Sequence, residues 1–256
     1  MSNPSRIESC ISGSARILQV QHVGLTRYAD TWRLQREIQG ALIAGQGCDT
    51  LILCQHFPVI TLGRNACEQN LLASRELLAK RGVELLHVER GGDITFHGPG
   101  QLVAYPLLDL RRHRQDVHWY MRSLEQVIIQ TLKFFGLDSF SLEGKTGVWT
   151  SLPAKDYTPA AQVVRPSFAK IASIGVRISR WCTLHGVSIN IQDCRGGFEL
   201  IHPCGFKDIE MGSLEQHGVV ADSVGVAHVF EAMFRKLFAY QLHSRSTWNG
   251  KEGGAP

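Results

Sequence analysis

The stretch RGGDITFHGPGQLVAYP, from Arg90 to Pro106, constrains this chain more than any other. It holds four glycines, two prolines, an arginine, an aspartate, a histidine and a tyrosine in seventeen residues. Glycine is used where φ must be positive or where something must lie against the backbone. Two glycine clusters between strand-like runs therefore predict a concave shelf of amides, suited to an acyl or phosphoryl group. A plain turn explains GGD or GPG alone, but less well both together with Arg90, His97 and Tyr105 interleaved. No helix pattern follows the glycines and no GxxxxGK[ST] loop occurs, so the usual nucleotide-binding signatures are missing.

On either side the patterns change quickly. ARILQVQHVG alternates as a strand, and Tyr28, Trp32, Leu34, Ile38 and Leu42 recur at helical spacing. DTLILCQH and PVITLG read as two strands around Phe57-Pro58. A short helix capped by Asn70 or Ser74 runs to Lys80 and stops at Gly82. VELLHVE and QLVAYPLLDL are the strands entering and leaving the glycine stretch. A helix covers about Trp119 to Phe135, strands follow at GVWT, AKIASIGVRIS and TLHGVSINI, and a last helix runs from about Ser223 to Tyr240. Strands outnumber helices and hairpins dominate the middle. The expected fold is one α+β domain with mainly antiparallel sheets flanked by helices, with a flexible leader over 1–15, the domain over 16–243 and a polar tail over 244–256.

Composition narrows the function classes. The chain of 256 residues is 44% hydrophobic and 20% charged, ordinary for a folded domain with a sizeable core. A net charge of +4, with basic residues scattered and not striped with aromatics, argues against nucleic acid. It is compatible with an acidic protein partner. No apolar run is long enough to cross a bilayer, and the N-terminus lacks a secretory core, so the cytoplasm is the expected location. Seven cysteines without a CxxC pair make neither a disulfide framework nor a zinc pattern, and the eleven histidines show no metal-ligand spacing, so no metal or cofactor is expected.

A nucleophile is sought among the cysteines. Cys204, in IHPCGF, sits between turn-forming residues that can present its sulfur; Cys182 and Cys194 lie in or beside strands, and Cys54 lies in an apolar run. Cys204 leads without excluding the others. Lys170 opens KIASIGVRI, where alternation leaves an apolar or a functional residue on the inner face, although lysines at strand ends are ordinarily solvated.

RGGDITFHGPGQLVAYPLLDL, with QHFPVITLGR before it and KIASIGVRISRWCTLHGVSIN and PCGF after it, resembles the lipoyl(octanoyl) transferases of the lipoate and biotin protein ligase-like fold, a class II synthetase-like domain. The resemblance runs over roughly residues 15 to 240. It implies that Cys204 and Lys170 form the catalytic dyad, since the family's cysteine falls in PCG and its lysine in KIxxIG. It implies a substrate pocket built from Arg90, Gly91, Gly92, Asp93, Ile94, Thr95, Phe96 and His97, from Ser173, Ile174 and Gly175, from His185 and Gly186, and from Tyr105 and His56. Oxyanion donors are expected near Gly175 and at the Cys204-Gly205 turn. The implied partners are octanoyl-acyl carrier protein as donor, and as acceptors the lipoyl domains of 2-oxoacid dehydrogenase complexes and the glycine cleavage H protein, met by a monomeric enzyme. Rival readings are an ATP-dependent lipoate ligase, a cysteine amidotransferase between lipoyl-type domains, and a non-catalytic acyl-carrier binding module. The run from Ser151 to Pro166 is longer than the resemblance predicts, and Lys145 before it is expected to be solvated.

Overall fold

The computed structural model describes residues 11–12, 15–152, 168–203 and 209–240. In chain order the strands and helices are β1 (Ile11–Ser12), β2 (Ala15–Arg16), β3 (Gln19–Thr26), α1 (Tyr28–Ile43), β4 (Thr50–His56), β5 (Val59–Leu62), α2 (Arg75–Lys80), β6 (Glu84–His87), β7 (Ile94–His97), β8 (Gln101–Leu107), α3 (Val117–Phe134), β9 (Phe140–Leu142), β10 (Lys145–Ser151), β11 (Phe168–Ser179), β12 (Cys182–Asn190), α4 (Arg195–Phe198), β13 (Glu210–Met211) and α5 (Ser223–Leu237).

The large sheet has the order β3-β4-β8-β12-β11-β10-β9, with β13 added to β11. Its pairs are antiparallel except β3 with β4 and β11 with β13. β3 and β4 are parallel because α1 carries the chain back between them. A small sheet, β6-β5-β7, likewise has α2 between its parallel strands β5 and β6. The fold is thus the expected α+β domain of mainly antiparallel sheets flanked by helices.

Alternation along the central strands explains both layers of core. Leu51 and Leu53 of β4 and Leu102 and Ala104 of β8 face Leu124, Ile128, Phe230 and Phe234 of α3 and α5. Their neighbours Ile52, Cys54, Val103 and Tyr105 face the opposite way, toward Tyr28 and Leu42 of α1. A strand shows alternate side chains to opposite faces, so a central strand between helix layers must be apolar throughout. Each fully buried Leu, Ile or Phe contributes roughly 1.5–3 kcal/mol.

The helix boundaries follow local chemistry. Asp116 and Asp222 accept hydrogen bonds from the amides of Trp119 and Gly225, and Ser74 accepts one from Leu77, capping α3, α5 and α2. The face of α1 differs from the apolar periodicity. Tyr28, Thr31, Gln35, Gln39 and Leu42 are buried, while Trp32, Leu34 and Ile38 are only partly so. The reason is hydrogen bonding to β12: Gln35 Oε1 accepts the His185 amide at 3.0 Å and Gln39 Nε2 donates to the Cys182 carbonyl at 2.9 Å.

At one point the sheet depends on a missing side chain. A Cβ at Gly186 of β12 would collide with the Ala104 carbonyl oxygen and lie 2.8 Å from Pro106 Cδ on β8. Backbone in a ladder cannot give way, so Gly186→Ala should lower unfolding stability by about 1–3 kcal/mol, read as a shift in the urea midpoint. An unchanged midpoint would show that the two strands can separate at this step.

Candidate active site

The glycine-rich stretch contains a strand of its own. Within β7, Ile94 and Phe96 turn into the apolar cluster of the small sheet with Ile60, Leu62 and Phe198, while Thr95 and His97 turn to a pocket. Period-two alternation divides the motif between core and site. The fold itself uses one amide of the expected shelf and three of its carbonyls. The Gly91 amide donates to the Val176 carbonyl at 2.8 Å, and the carbonyls of Arg90, Gly92 and Asp93 accept the amides of Arg64, Asn65 and Gly63. Gly92 adopts φ +83°, the left-handed region open to glycine. The Asp93 carboxylate accepts the Cys67 amide at 3.0 Å and Asn70 Nδ2 at 2.5 Å, pinning the loop that follows β5.

The pocket lies where the two sheets meet under the start of α1. Its cavity volume is about 40 Å³, and its lining is Tyr28, Arg90, Thr95, His97, Val103, Tyr105, Ser173, Ile174, Gly175, His185, Gly186, Val187 and Ser188. Of the residues expected here, Arg90, Thr95, His97, Tyr105, Ser173, Ile174, Gly175, His185 and Gly186 are brought together. Gly91, Gly92 and Asp93 support the rim, and His56 stands behind Tyr105. In β11 the pairing with β10 ends at Ala172, so from Ser173 to Gly175 the strand has β12 on one side and the pocket on the other.

The imidazoles here are buried and neutral. His56 Nδ1 donates to the Thr26 carbonyl at 3.2 Å, leaving Nε2 to accept the Tyr105 hydroxyl at 2.7 Å. Burial pushes the His56 imidazole down to about 4. Burial, reinforced by His56 and the positive Arg90, holds His97 well below the ordinary histidine value. His185 is lowered by burial, against the pull of Glu89; its Nδ1 meets the Tyr28 hydroxyl at 3.2 Å and its Nε2 lies 3.7 Å from Glu89 Oε2. His185 also adopts φ +61°, a left-handed conformation costing a non-glycine residue of order 1–2 kcal/mol, offset in part by the Gln35 hydrogen bond to its amide. The fixed positive group is Arg90. Its guanidinium donates to the Thr61 carbonyl at 2.6 Å, to Thr61 Oγ1 at 3.0–3.1 Å and to the Gly91 carbonyl at 3.0 Å. A buried guanidinium fixed on the pocket wall in this way favours charge developing as an oxyanion.

Lys170 lies a few residues upstream on β11 and outside the lining of this pocket. It is 3% exposed, and its Nζ sits 5.5 Å from the centre of the Trp149 ring. The register between β10 and β11 shifts here, with Trp149 opposite Lys170 and Val148 opposite Ala172, so Ile171 is bulged. Bulges re-aim side chains. Strict alternation fails at this step, and Lys170, Ile171 and Ala172 are all buried. Room for the lysine stem comes from Gly147, at φ +121°, where a Cβ would lie 2.6 Å from Lys170 Cε. Gly147, Trp149 and Tyr28 were not singled out from the sequence. Gly147 and Trp149 touch Lys170 across a strand pair, and Tyr28 read as one more apolar position of a helix. Lys145 Nζ lies 5.7 Å from the other partner of this contact, the Trp149 ring centre. Cys204, Gly205 and residues 153–166 of the long run lie outside the described residues. Cys54, Cys67, Cys182 and Cys194 are free thiols, whereas Cys48 is disulfide-bonded. Among the described residues no group of three or more His, Cys, Asp or Glu could hold a metal ion, and no helix is long and apolar enough to cross a membrane.

Comparison with known proteins shows the family of the chain. Residues 27–238 match the lipoyl protein ligase A/B catalytic domain. The chain is 41% identical over 236 residues to the octanoyltransferase of Acidobacterium capsulatum, covering 88% of this chain and 92% of that one. It is 43% identical over 201 residues to the octanoyltransferase of Koribacter versatilis, covering 78% and 75%. The fold is shared with a bi-partite lipoate protein ligase from Thermoplasma acidophilum at a TM-score of 0.63 and 12% identity, covering 91% and 89%. The chain therefore belongs to the lipoyl protein ligase A/B catalytic-domain family, among its octanoyltransferases, which are acyltransferases.

The neutral imidazoles give a pH prediction. A histidine lowered in the folded state binds its proton more readily when unfolded, so its contribution is complete above about 6.5 and is lost as pH falls toward the folded value. The thermal midpoint should fall between pH 6.5 and 5, before most carboxylates titrate, and His56→Asn should flatten that part of the curve. An identical slope in the variant would mean that His56 is not neutral in the folded protein.

Proposed function

We propose that this enzyme transfers an octanoyl group from octanoyl-acyl carrier protein to a specific lysine of lipoyl domains, through a thioester on Cys204 with Lys170 as general acid and base. The single observation that carries this beyond the family is the buried Lys170. It is held at a bulge against Trp149 and Gly147, one strand segment from a pocket of neutral imidazoles and a fixed guanidinium. Burying an ammonium is costly unless it is paired and hydrogen-bonded, so its surroundings hold this amine at a fixed place beside the pocket.

In the first step the Cys204 thiolate attacks the donor thioester carbonyl. A tetrahedral oxyanion forms and collapses to the octanoyl-enzyme, and the carrier thiol leaves with a proton from Lys170. In the second, a lysine amine of the acceptor attacks the octanoyl-enzyme, Lys170 takes the amine proton, and the Cys204 thiolate is released as the amide forms. Arg90 and the open edge of Ser173–Gly175 supply positive potential and amides for the oxyanion. Val103, Ile174 and Val187 supply apolar wall for the chain, each buried methylene contributing about 0.8 kcal/mol. The acceptors are lipoyl domains of 2-oxoacid dehydrogenase complexes and the glycine cleavage H protein, and the enzyme works as a monomer in the cytoplasm without a cofactor. ATP-dependent ligation is less favoured, because the relatives at 41–43% identity are octanoyltransferases and the ligase shares the fold at 12%.

The test mixes purified protein with octanoyl-acyl carrier protein, without acceptor, and reads the intact mass. One octanoyl adduct is expected on the wild type and none on Cys204→Ala. No adduct on the wild type while a lipoyl domain still acquires octanoate would replace the two-step route by direct transfer. Modification by octanoate and ATP without the carrier would establish a ligase. In the same assay Gly147→Ala should slow acylation roughly ten- to hundredfold by crowding the Lys170 stem, since positioned proton transfer contributes about 10²–10⁴-fold; an unchanged rate would remove Lys170 from the step.

A further inference from the structure

A chain of hydrogen bonds runs out of the pocket through two buried amides that the reaction above does not use. His97 Nδ1 lies 3.3 Å from Gln101 Oε1, Gln101 Nε2 donates to Asn190 Oδ1 at 2.9 Å, and Asn190 Nδ2 donates to the Gly212 carbonyl at 2.8 Å. The Gly212 amide in turn donates to the Lys170 carbonyl at 2.9 Å. Gln101 and Asn190 are 0% and 3% exposed.

The direction of every link is forced. A carbonyl only accepts, so the Asn190 atom facing Gly212 is its NH₂ and its oxygen must face Gln101. Gln101 Nε2 also donates to the Phe96 carbonyl at 3.3 Å, a second backbone acceptor that independently fixes the same orientation. Gln101 therefore turns its oxygen to His97, and Nδ1 of that ring must carry hydrogen. Burial keeps the imidazole neutral, so a ring with hydrogen on Nδ1 has none on Nε2. Among the described residues Nε2 makes no hydrogen bond, and it is not among the polar atoms sealed from solvent without a partner, while the ring lines the pocket.

We infer that Gln101 and Asn190 are positioning residues that lock His97 as the Nδ1–H tautomer, so that Nε2 is a fixed hydrogen-bond acceptor in the pocket for an N–H of the incoming lysine amine. The role toward the amine rests on the function proposed above; the lock does not. An amine accepted at Nε2 has its lone pair directed away from that bond and free to attack. The other two imidazoles cannot substitute, since His56 Nε2 is taken by Tyr105 and His185 contacts Tyr28 and Glu89. The chain also ends on the peptide of Lys170, so the acceptor and the proposed base share one rigid scaffold.

The test is a long-range ¹H–¹⁵N correlation spectrum of the histidine rings near pH 7.5, with His97 assigned by the peaks lost in His97→Asn. The wild type should show protonated Nδ1 and bare Nε2; protonated Nε2, in the neutral ring or in the imidazolium, would overturn the lock. Gln101→Glu keeps an acceptor for Nδ1 but cannot donate to Asn190 or Phe96. It should convert the ring to imidazolium and slow attack by the amine on the octanoyl-enzyme roughly ten- to hundredfold, a larger loss than in enzyme acylation. A folded Gln101→Glu with the wild-type tautomer or the wild-type rate of amine attack would overturn the positioning role, and Asn190→Asp, which cannot donate to Gly212, repeats the test at the next link. The expected tautomer in a protein that transfers no octanoyl group would uphold the lock and overturn the octanoyl reading alone.

Discussion

The closeness of the two sheets is the constraint on which the site depends. The small-sheet side approaches the large sheet where backbone meets backbone: the Gly91 amide donates to the Val176 carbonyl of β11 at 2.8 Å, and a Cβ at Gly175 would lie 3.1 Å from the Gly91 carbonyl oxygen. Arg90 braces the small-sheet side of this contact by donating to Thr61 of β5 and to its own neighbour Gly91. What remains between the sheets is a cleft where β7, β8, β11 and β12 each contribute one or more side chains. Gly91 of the opening motif thus serves the junction of the sheets, where its amide is taken by Val176 of β11.

A cleft inside a core must hold its polar groups paired or neutral, because an unsatisfied buried group costs about 1–3 kcal/mol. The structure meets this requirement in part: both nitrogens of His56 and Nδ1 of His97 and of His185 have a carbonyl, a phenol or an amide as partner, while His185 Nε2 is sealed from solvent without a hydrogen bond. Among the described residues the electrostatic result is a fixed guanidinium and three uncharged histidines, with the Glu89 carboxylate beside His185. Such a site tolerates an acyl chain, whose apolar atoms meet valine and isoleucine, and favours the transient negative oxygen of acyl transfer. The same accounting explains α1, whose buried glutamines complete the backbone pairing of β12 where His185 turns left-handed.

Much of this was legible in the residues. The α+β class, the short helix capped by Ser74, the strand leaving the glycine stretch and the last helix follow from periodicity, capping and turn chemistry, all local. The pocket membership of Arg90, His97, Tyr105, Gly175 and His185 was reached through resemblance of the motif blocks, and the geometry gathers them at one cleft. Ile94 and Phe96 show where a contiguous motif misleads: alternate residues of a strand face opposite ways, and these two serve the core. Tyr28, Gly147, Trp149 and Gln101 carried no signal of their own, since a tyrosine on a helix or a glycine in a hairpin has many ordinary uses.

The sequence by itself determined the class of fold, the family, and the residue types able to carry acyl transfer, because these depend on local pattern and on motifs contiguous in the chain. Only the tertiary structure decided which side of β7 reaches the pocket, how a bulge at Ile171 turns Lys170 inward against Trp149, and which nitrogen of His97 carries its hydrogen. Each of these is set by partners far away in sequence, Gly212 for His97 and Gly147 for Lys170, and the direction of a hydrogen bond or the space beside a side chain exists only once those partners have been brought together.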